Sequence, residues 1–287
     1  MANLKEIRNR IASVGSTMQI TSAMKMVSAA KLKKAQDAIT AMRPYAEKLT
    51  ELLQNLSATL DGDSGGKYSD QREVNNVLIV AITSNRGLAG AFNSSIYKGA
   101  QNLATETYSE NKVDYFTLGK KGNDLLKKSG NVIENNNTIF DDLTYESTSD
   151  IAERLMELFA TQDYDKIVVI YNSFKNAATQ IVKTEQFLPI LPPKESESKV
   201  STDYIFEPSK EKIVEELIPK SLKTQLFKSL RDSVASEHGA RMTAMHKATD
   251  NATELRDALK LQYNKARQAA ITNEILEIVG GAEALAG

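Results

Sequence analysis

Positions spaced alternately three and four apart from Leu4 read Leu4, Ile7, Ile11, Val14, Met18, Thr21, Lys25, Ser28, Leu32, Ala35, Ile39, Met42, Ala46, Leu49, Leu53, Leu56 and Leu60. Fourteen of these seventeen are apolar. A repeat of that kind, held over more than eight heptads, is the seam of a coiled coil. Pro44 falls inside it, and a bend or break is expected there. The Gly-rich stretch DGDSGG at 61–66 ends the element. The three polar exceptions, Thr21, Lys25 and Ser28, cluster where a second apolar row appears: Ile20, Met24 and Val27. Two readings of that row stand side by side. It is the drift of a 3.6-residue helix against a 3.5-residue repeat, or a face that touches something outside the coiled coil.

The far end has the same character. After Pro219 about sixty residues run without proline, interrupted by Gly239 before the pair Gly280-Gly281. Leu222, Leu226, Leu230, Val234, Arg241, Met245, Ala248, Ala252, Leu255, Leu259, Ala266 and Ala270 follow helical spacing. The many alanines let a partner helix approach closely. Two long amphipathic helices at opposite ends of one chain bury both stripes most cheaply by packing antiparallel on each other. Pro219 either kinks the second helix or marks its start.

Between them the pattern changes period. VLIVAI (77–82), VDYFTLG (113–119) and KIVVIYN (166–172) read as buried strands. Helices are expected near 91–107, over KKGNDLLKKSG (120–130) and over 149–161. Such alternation implies parallel strands joined by crossover helices. Residues 177–190 read as an edge strand after a turn, and 191–203 as a loop. The expected fold class is α/β plus long α: an antiparallel two-helix coiled coil from the termini with a central Rossmann-like domain. Its parts are an N-terminal shaft helix over 1–60, an α/β domain over 74–208 and a C-terminal shaft helix over 209–287.

Composition narrows the picture. The chain has 287 residues, no cysteine and no tryptophan, so disulfides, thiolate metal sites and thiol switches are excluded. The longest apolar run, Val77–Ile82, is too short to span a bilayer. The N-terminus MANLKEIRNRIAS lacks the apolar core of a signal peptide. It is read as part of the helix rather than as a mitochondrial address, because its pattern continues beyond it. A soluble intracellular protein is the expectation. The net charge of −1 hides an asymmetry: residues 1–48 carry +6 and residues 220–287 carry +2, leaving −9 for the middle. Basic helix faces are usually solvated and less often meet an acidic partner.

Candidate chemistry is thin. Gly87 and Gly90 follow a strand and open a helix, where phosphates often bind. Their spacing is not that of a dinucleotide fingerprint, and LGKKGND lacks the elements of a phosphate loop. A tight strand-to-helix turn is the better reading. His238 and His246 are the only histidines, two helical turns apart, and read as helix surface rather than metal ligands. Asp141-Asp142 and Glu215-Glu216 read as surface charge. No catalytic, cofactor or metal residue is assigned.

Three segments carry a resemblance. IRNRIASVGSTMQITSAMKMVSAAKLKKAQ resembles the N-terminal helix of the gamma subunit of bacterial-type F-type ATP synthases. TSNRGLAGAFN resembles that family's strand-turn segment, and LQYNKARQAAITNEILEIVGGAEAL its C-terminal signature. The matches occur in family order and cover essentially the whole chain. The resemblance implies a non-catalytic central rotor. Its coiled coil would turn inside three alpha and three beta subunits, and its α/β domain would stand on the c-subunit ring beside epsilon. Ion flow through the ring would then drive ATP synthesis on beta, and the reverse reaction would pump ions. It also implies peripheral placement at the cytoplasmic face of the bacterial plasma membrane.

Carried over by motif, Met24 and Lys25 in SAMKMV would face an acidic loop of beta, with Lys31, Lys33 and Lys34 nearby. Arg267, Gln268, Thr272 and Glu274 in KARQAAITNE would bond a catch loop on the catalytic subunits. Tyr204 and Glu207 in DYIFEP would lie near the c ring and epsilon. Photosynthetic relatives carry a cysteine-bearing regulatory insertion; with no cysteine here, that control is absent. Short side chains and scattered charge suit a surface that must meet several partners in turn, whereas a large apolar patch would act as a permanent interface. Two other classes compete: a nucleotide-using α/β enzyme with helical arms, holding phosphate at Gly87–Gly90, and a coiled-coil scaffold that self-associates through Leu4–Leu60.

Overall fold

A computed structural model describes residues 4–58, 66–190 and 210–286. The expected loop over 191–203 lies outside them, as do Tyr204 and Glu207. The chain forms two compact units, one from Met1–Ser28 with Met242–Gly287 and one from Ala29–Arg241.

Helix α1 spans Leu4–Ala58 and helix α5 spans Lys210–Ala286. Between them in sequence lie β1 (Asn76–Ile82), α2 (Phe92–Asn102), β2 (Lys112–Leu118), α3 (Lys120–Leu126), β3 (Asn131–Asn136), α4 (Tyr145–Ala160), β4 (Lys166–Phe174) and β5 (Gln180–Leu188).

In the Ala29–Arg241 unit the five strands form one sheet in the order β3-β2-β1-β4-β5. All neighbours are parallel except β4 and β5. Both faces of the sheet are covered, so the central strands can be apolar at every position. Alternate residues of β1 serve opposite layers. Leu78, Val80 and Ile82 join α4 and the α5 residues Ile218, Leu222, Leu226 and Leu230. Val77, Ile79 and Ala81 pack with Ile96 and Ala100 of α2 and Leu126 of α3. The opening of the long C-terminal helix is thus part of the α/β core, not only of a shaft.

Four local departures from expectation have physical causes. α1 continues through Pro44, where Ile39, Ala46 and Leu49 are buried on either side. That burial outweighs the roughly 3 kcal/mol cost of an interior proline. Pro219 likewise lies inside α5, nine residues after its start, with Ile218 and Leu222 in the core. α4 begins four residues before the expected 149, because Thr144 caps it. Ser147 N–H donates to Thr144 Oγ1 at 3.1 Å and Thr144 N–H to Ser147 Oγ at 3.2 Å. β3 occupies Asn131–Asn136, where no strand was expected. It follows a helix that stops at Leu126, and a Cβ on Gly130 would meet the Tyr115 ring at 2.5 Å.

In the other unit, α1 and α5 run antiparallel. Arg8 Nη2 donates to the Tyr263 hydroxyl at 2.7 Å, and the Thr21 and Thr249 hydroxyls are 2.8 Å apart. Thr253 Oγ1 lies 3.4 Å from Met18 Sδ. As the α1 partner advances thirteen residues, the α5 partner retreats fourteen, which fixes the direction. In this unit no side chain of the predicted seam from Leu4 to Ser28 is exposed. Thr21 and Ser28 are buried in it despite their hydroxyls. On the C-terminal helix, Met245, Ala252 and Leu259 are buried, whereas Leu255 and Ala270 are exposed.

Candidate functional site

The second apolar row on α1 does not enter the helix pair. Ile20 and Val27 are 60% and 57% exposed, Met26 next to it is 67% exposed, and Met24 and Lys25 are half-buried. On α5, Arg267, Gln268, Thr272 and Glu274 are all exposed. Thr272 Oγ1 donates back to the backbone carbonyl of Gln268 at 3.0 Å. The antiparallel register sets Met24 and Lys25 opposite α5 residues near 246. Arg267 is about twenty residues, or roughly 30 Å, further along the helix. The two groups therefore lie on separate stretches of the helix pair rather than at one site.

Sequence reasoning missed a third surface. Ile271, Ile275, Leu276, Ile278 and Val279 are between 48% and 65% exposed. The register brings Leu4 opposite the neighbourhood of Arg267, so α5 runs on without an α1 partner among the described residues. Large apolar side chains do appear on the helical surface, contrary to the expectation of short side chains and scattered charge. Their signal was available: apolar spacing continues in ITNEILEIV beyond the reach of the opposing helix. The lysines Lys31, Lys33 and Lys34 are exposed, and Lys33 pairs with Asp37 at 3.1 Å.

The Thr83–Asn93 turn is filled by its own groups. Ser84 N–H donates to Asn93 Oδ1 at 2.9 Å, and Ser84 Oγ donates to the Arg86 carbonyl at 2.7 Å. Asn85 Nδ2 donates to the Asn137 carbonyl at 2.8 Å and its Oδ1 accepts from Lys120 N–H at 3.0 Å. Arg241, buried on α5 and paired with Glu237, closes the turn through the Arg86 and Gly87 carbonyls at 3.2 and 3.4 Å. Gly90 supplies a positive φ of 57°, while a Cβ on Gly87 would meet nothing closer than Lys121 Cε at 3.8 Å. Gly90 thus takes the left-handed position of a tight strand-to-helix turn.

The histidines are no metal pair. His246 Nδ1 faces Asp250 at 3.3 Å on an exposed surface. His238 Nδ1 is buried without a hydrogen-bond partner among the described residues. Burial, reinforced by Arg241 and Lys31, pushes its pKa down to about 4, so the ring is neutral. Among the described residues no cluster of His, Cys, Asp or Glu could hold a metal ion, and no helix is long and apolar enough to cross a membrane.

The described residues thus form an antiparallel pair of long helices in one unit and a doubly wound α/β sheet in the other, with polar and apolar side chains exposed along the helices. A family profile described as ATP synthase matches residues 3–285. The chain belongs to the ATP synthase gamma-chain family. It is 73% identical to the ATP synthase gamma chain of Flavobacterium psychrophilum, over the full length of both chains. It is 73% identical to that of Flavobacterium johnsoniae, again over all of both. Among solved structures, the central stalk and c-ring of Tetrahymena thermophila mitochondrial ATP synthase contains a chain with 27% identity. That chain superposes with a TM-score of 0.60, covering 80% of this chain and 99% of that one. A chain of the Euglena gracilis mitochondrial ATP synthase superposes at 0.69 with 21% identity, covering 98% and 94%.

Proposed function

We propose that this chain is the central rotor of an F-type ATP synthase, a non-catalytic part that carries rotation between a membrane ion motor and distant catalytic sites. The antiparallel pairing of Arg8 with Tyr263 and Thr21 with Thr249, in a chain 73% identical to gamma chains along its whole length, supports this reading best. The helix pair turns within three alpha and three beta subunits. The α/β foot stands on the c-subunit ring beside epsilon, and Tyr204 and Glu207 contribute to that footing. The complex sits at the cytoplasmic face of the plasma membrane, with this chain peripheral to it. The working division is a shaft from 1–60 and 209–287 and a foot from 74–208.

The mechanism follows from asymmetry. A ligand that binds two states equally shifts neither, so a uniform rod could not drive a catalytic subunit between conformations. This rod is not uniform. Ile20, Met26 and Val27 present apolar surface on one stretch, Arg267, Gln268 and Glu274 present polar groups on another, and Ile271 to Val279 present apolar surface beyond. As the shaft turns, each catalytic subunit meets these surfaces in sequence and is pushed through its states. Met24 and Lys25 face an acidic segment of beta, and Arg267, Gln268, Thr272 and Glu274 engage a loop of the catalytic ring. Each exposed charge pair contributes little alone, about 1 kcal/mol or less.

Affinity purification of the tagged chain from its own cell tests the proposal. One copy with three alpha and three beta subunits, epsilon and c supports it. A homodimer free of those partners, or tight ATP binding by the chain alone, overturns it.

A further inference from the structure

Three elements of the Ala29–Arg241 unit meet at one polar point. Arg43 Nη2 on α1 donates to the carbonyl of Phe174, the last residue of β4, at 3.2 Å. The same nitrogen lies 3.4 Å from Asp232 Oδ1 on α5. The second carboxylate oxygen of Asp232 accepts from Ser173 Oγ at 3.5 Å. The Asp232 side chain is 3% exposed, that of Arg43 43%. Burial raises the Asp232 pKa, and Arg43, Lys228 and Lys183 pull it back only in part. A buried carboxylate held this way costs stability, and apolar residues would fill the space more cheaply.

The surrounding contacts are of a different kind. Leu222, Leu226 and Leu230 fasten α5 into the sheet core, and Ile39, Ala46 and Leu49 of α1 are buried nearby in sequence to Arg43. Apolar contacts are non-directional: they resist separation better than sliding. Charge-assisted hydrogen bonds depend on angle and resist a shift of one element past another. Pro44 follows Arg43 directly and supplies no N–H to the Thr40 carbonyl, so α1 lacks a ladder bond where a twisting load would act.

We propose that Arg43, Asp232 and Ser173 form the joint that makes α1 turn together with the sheet and α5. This rests on the rotor reading above. The three are positioning residues: they touch no reactant, and they keep the two helices in phase under load.

The test uses the whole synthase reconstituted in vesicles, with Arg43→Met and Asp232→Leu made singly and together. ATP hydrolysis and ATP-driven ion pumping are measured on the same vesicles, and urea stability on the isolated chain. The double variant is expected to be at least as stable as wild type and to hydrolyse ATP within about twofold of it. Ions pumped per ATP fall about threefold or more, within the coupling range of contacting charged pairs. Each single variant shows nearly the full loss, and Arg43→Lys recovers part of it. Wild-type pumping per ATP in the double variant, or single losses that simply add, overturns the joint. Should the double variant not assemble, Ser173→Ala decides: a lowered pumping ratio at normal hydrolysis supports the joint, and an unchanged ratio overturns it. A wild-type complex that fails to form or to pump counts against the rotor reading instead.

Discussion

Replacing His238 by glutamine removes a ring that the fold keeps neutral, and the effect has a definite sign. The pKa falls from 6.5 to about 4 because burial disfavours the imidazolium, with Arg241 and Lys31 adding to it. The unfolded chain therefore takes up this proton before the folded one does. Stability is fully present above about pH 6.5 and drains away as the pH falls toward 4. At 1.36 kcal/mol per unit the shift sets a ceiling of roughly 3 kcal/mol, which screening of a partly exposed ring reduces to about 1–2 kcal/mol. Asp232 works the other way. Its pKa is raised, so the folded state holds that proton more tightly and acidification offsets some of the loss. The assay is the urea midpoint of the isolated chain at about pH 7 and about pH 4.5, for wild type and His238→Gln. The variant should lose less stability on acidification by about 1–2 kcal/mol while matching wild type at neutral pH. An equal acid loss in both proteins would refute the assignment of that slope to His238.

Further outcomes follow from the packing and the surfaces. Gly119→Ala should destabilise the α/β unit by about 2 kcal/mol or more, seen in thermal melts, because φ is 109° and a Cβ would sit 2.4 Å from the Thr83 carbonyl oxygen. Leu226→Ala removes a fully buried side chain from the sheet core and should cost about 2–5 kcal/mol in urea unfolding. Arg267→Ala with Gln268→Ala should leave helix content and chain stability unchanged, since both side chains are exposed, yet weaken assembly or ATP-driven pumping of the complex. Normal complex yield and pumping in that double variant would remove these residues from the proposed interface.

What the sequence made legible follows from how local each signal is. The α1 seam could be read because a 3.5-residue repeat is written in one contiguous stretch, and its buried Thr21 and Ser28 are polar members of a row that apolar neighbours define. β1, β2 and β4 were plain because both their faces are covered, making short unbroken apolar runs. β3 was not: NVIENN is an edge strand whose side chains are mostly exposed or half-buried, so neither alternation nor an apolar run marks it. The start of α4 escaped notice because the residue three places after its Thr144 cap is Ser147 rather than Glu or Gln. Proline is a strong local signal of a helix end, but tertiary burial of Ile39, Ala46 and Ile218 outweighed it at Pro44 and Pro219.

The surfaces divide in the same way. Arg267, Gln268, Thr272 and Glu274 were singled out by motif, and all four are exposed. The apolar residues Ile271 to Val279 were overlooked because their meaning depends on where the opposing helix begins, which is a three-dimensional fact. Arg43 and Asp232 are 189 residues apart, and Arg241 reaches a carbonyl 155 residues away. Nothing in either local sequence announces those pairings.

The most direct measurement is rotation itself. With the alpha and beta subunits fixed to a surface and a bead on the foot of this chain, ATP should turn the bead in one direction in repeated steps. Steady ATP hydrolysis by the same complexes with a stationary bead would contradict the account.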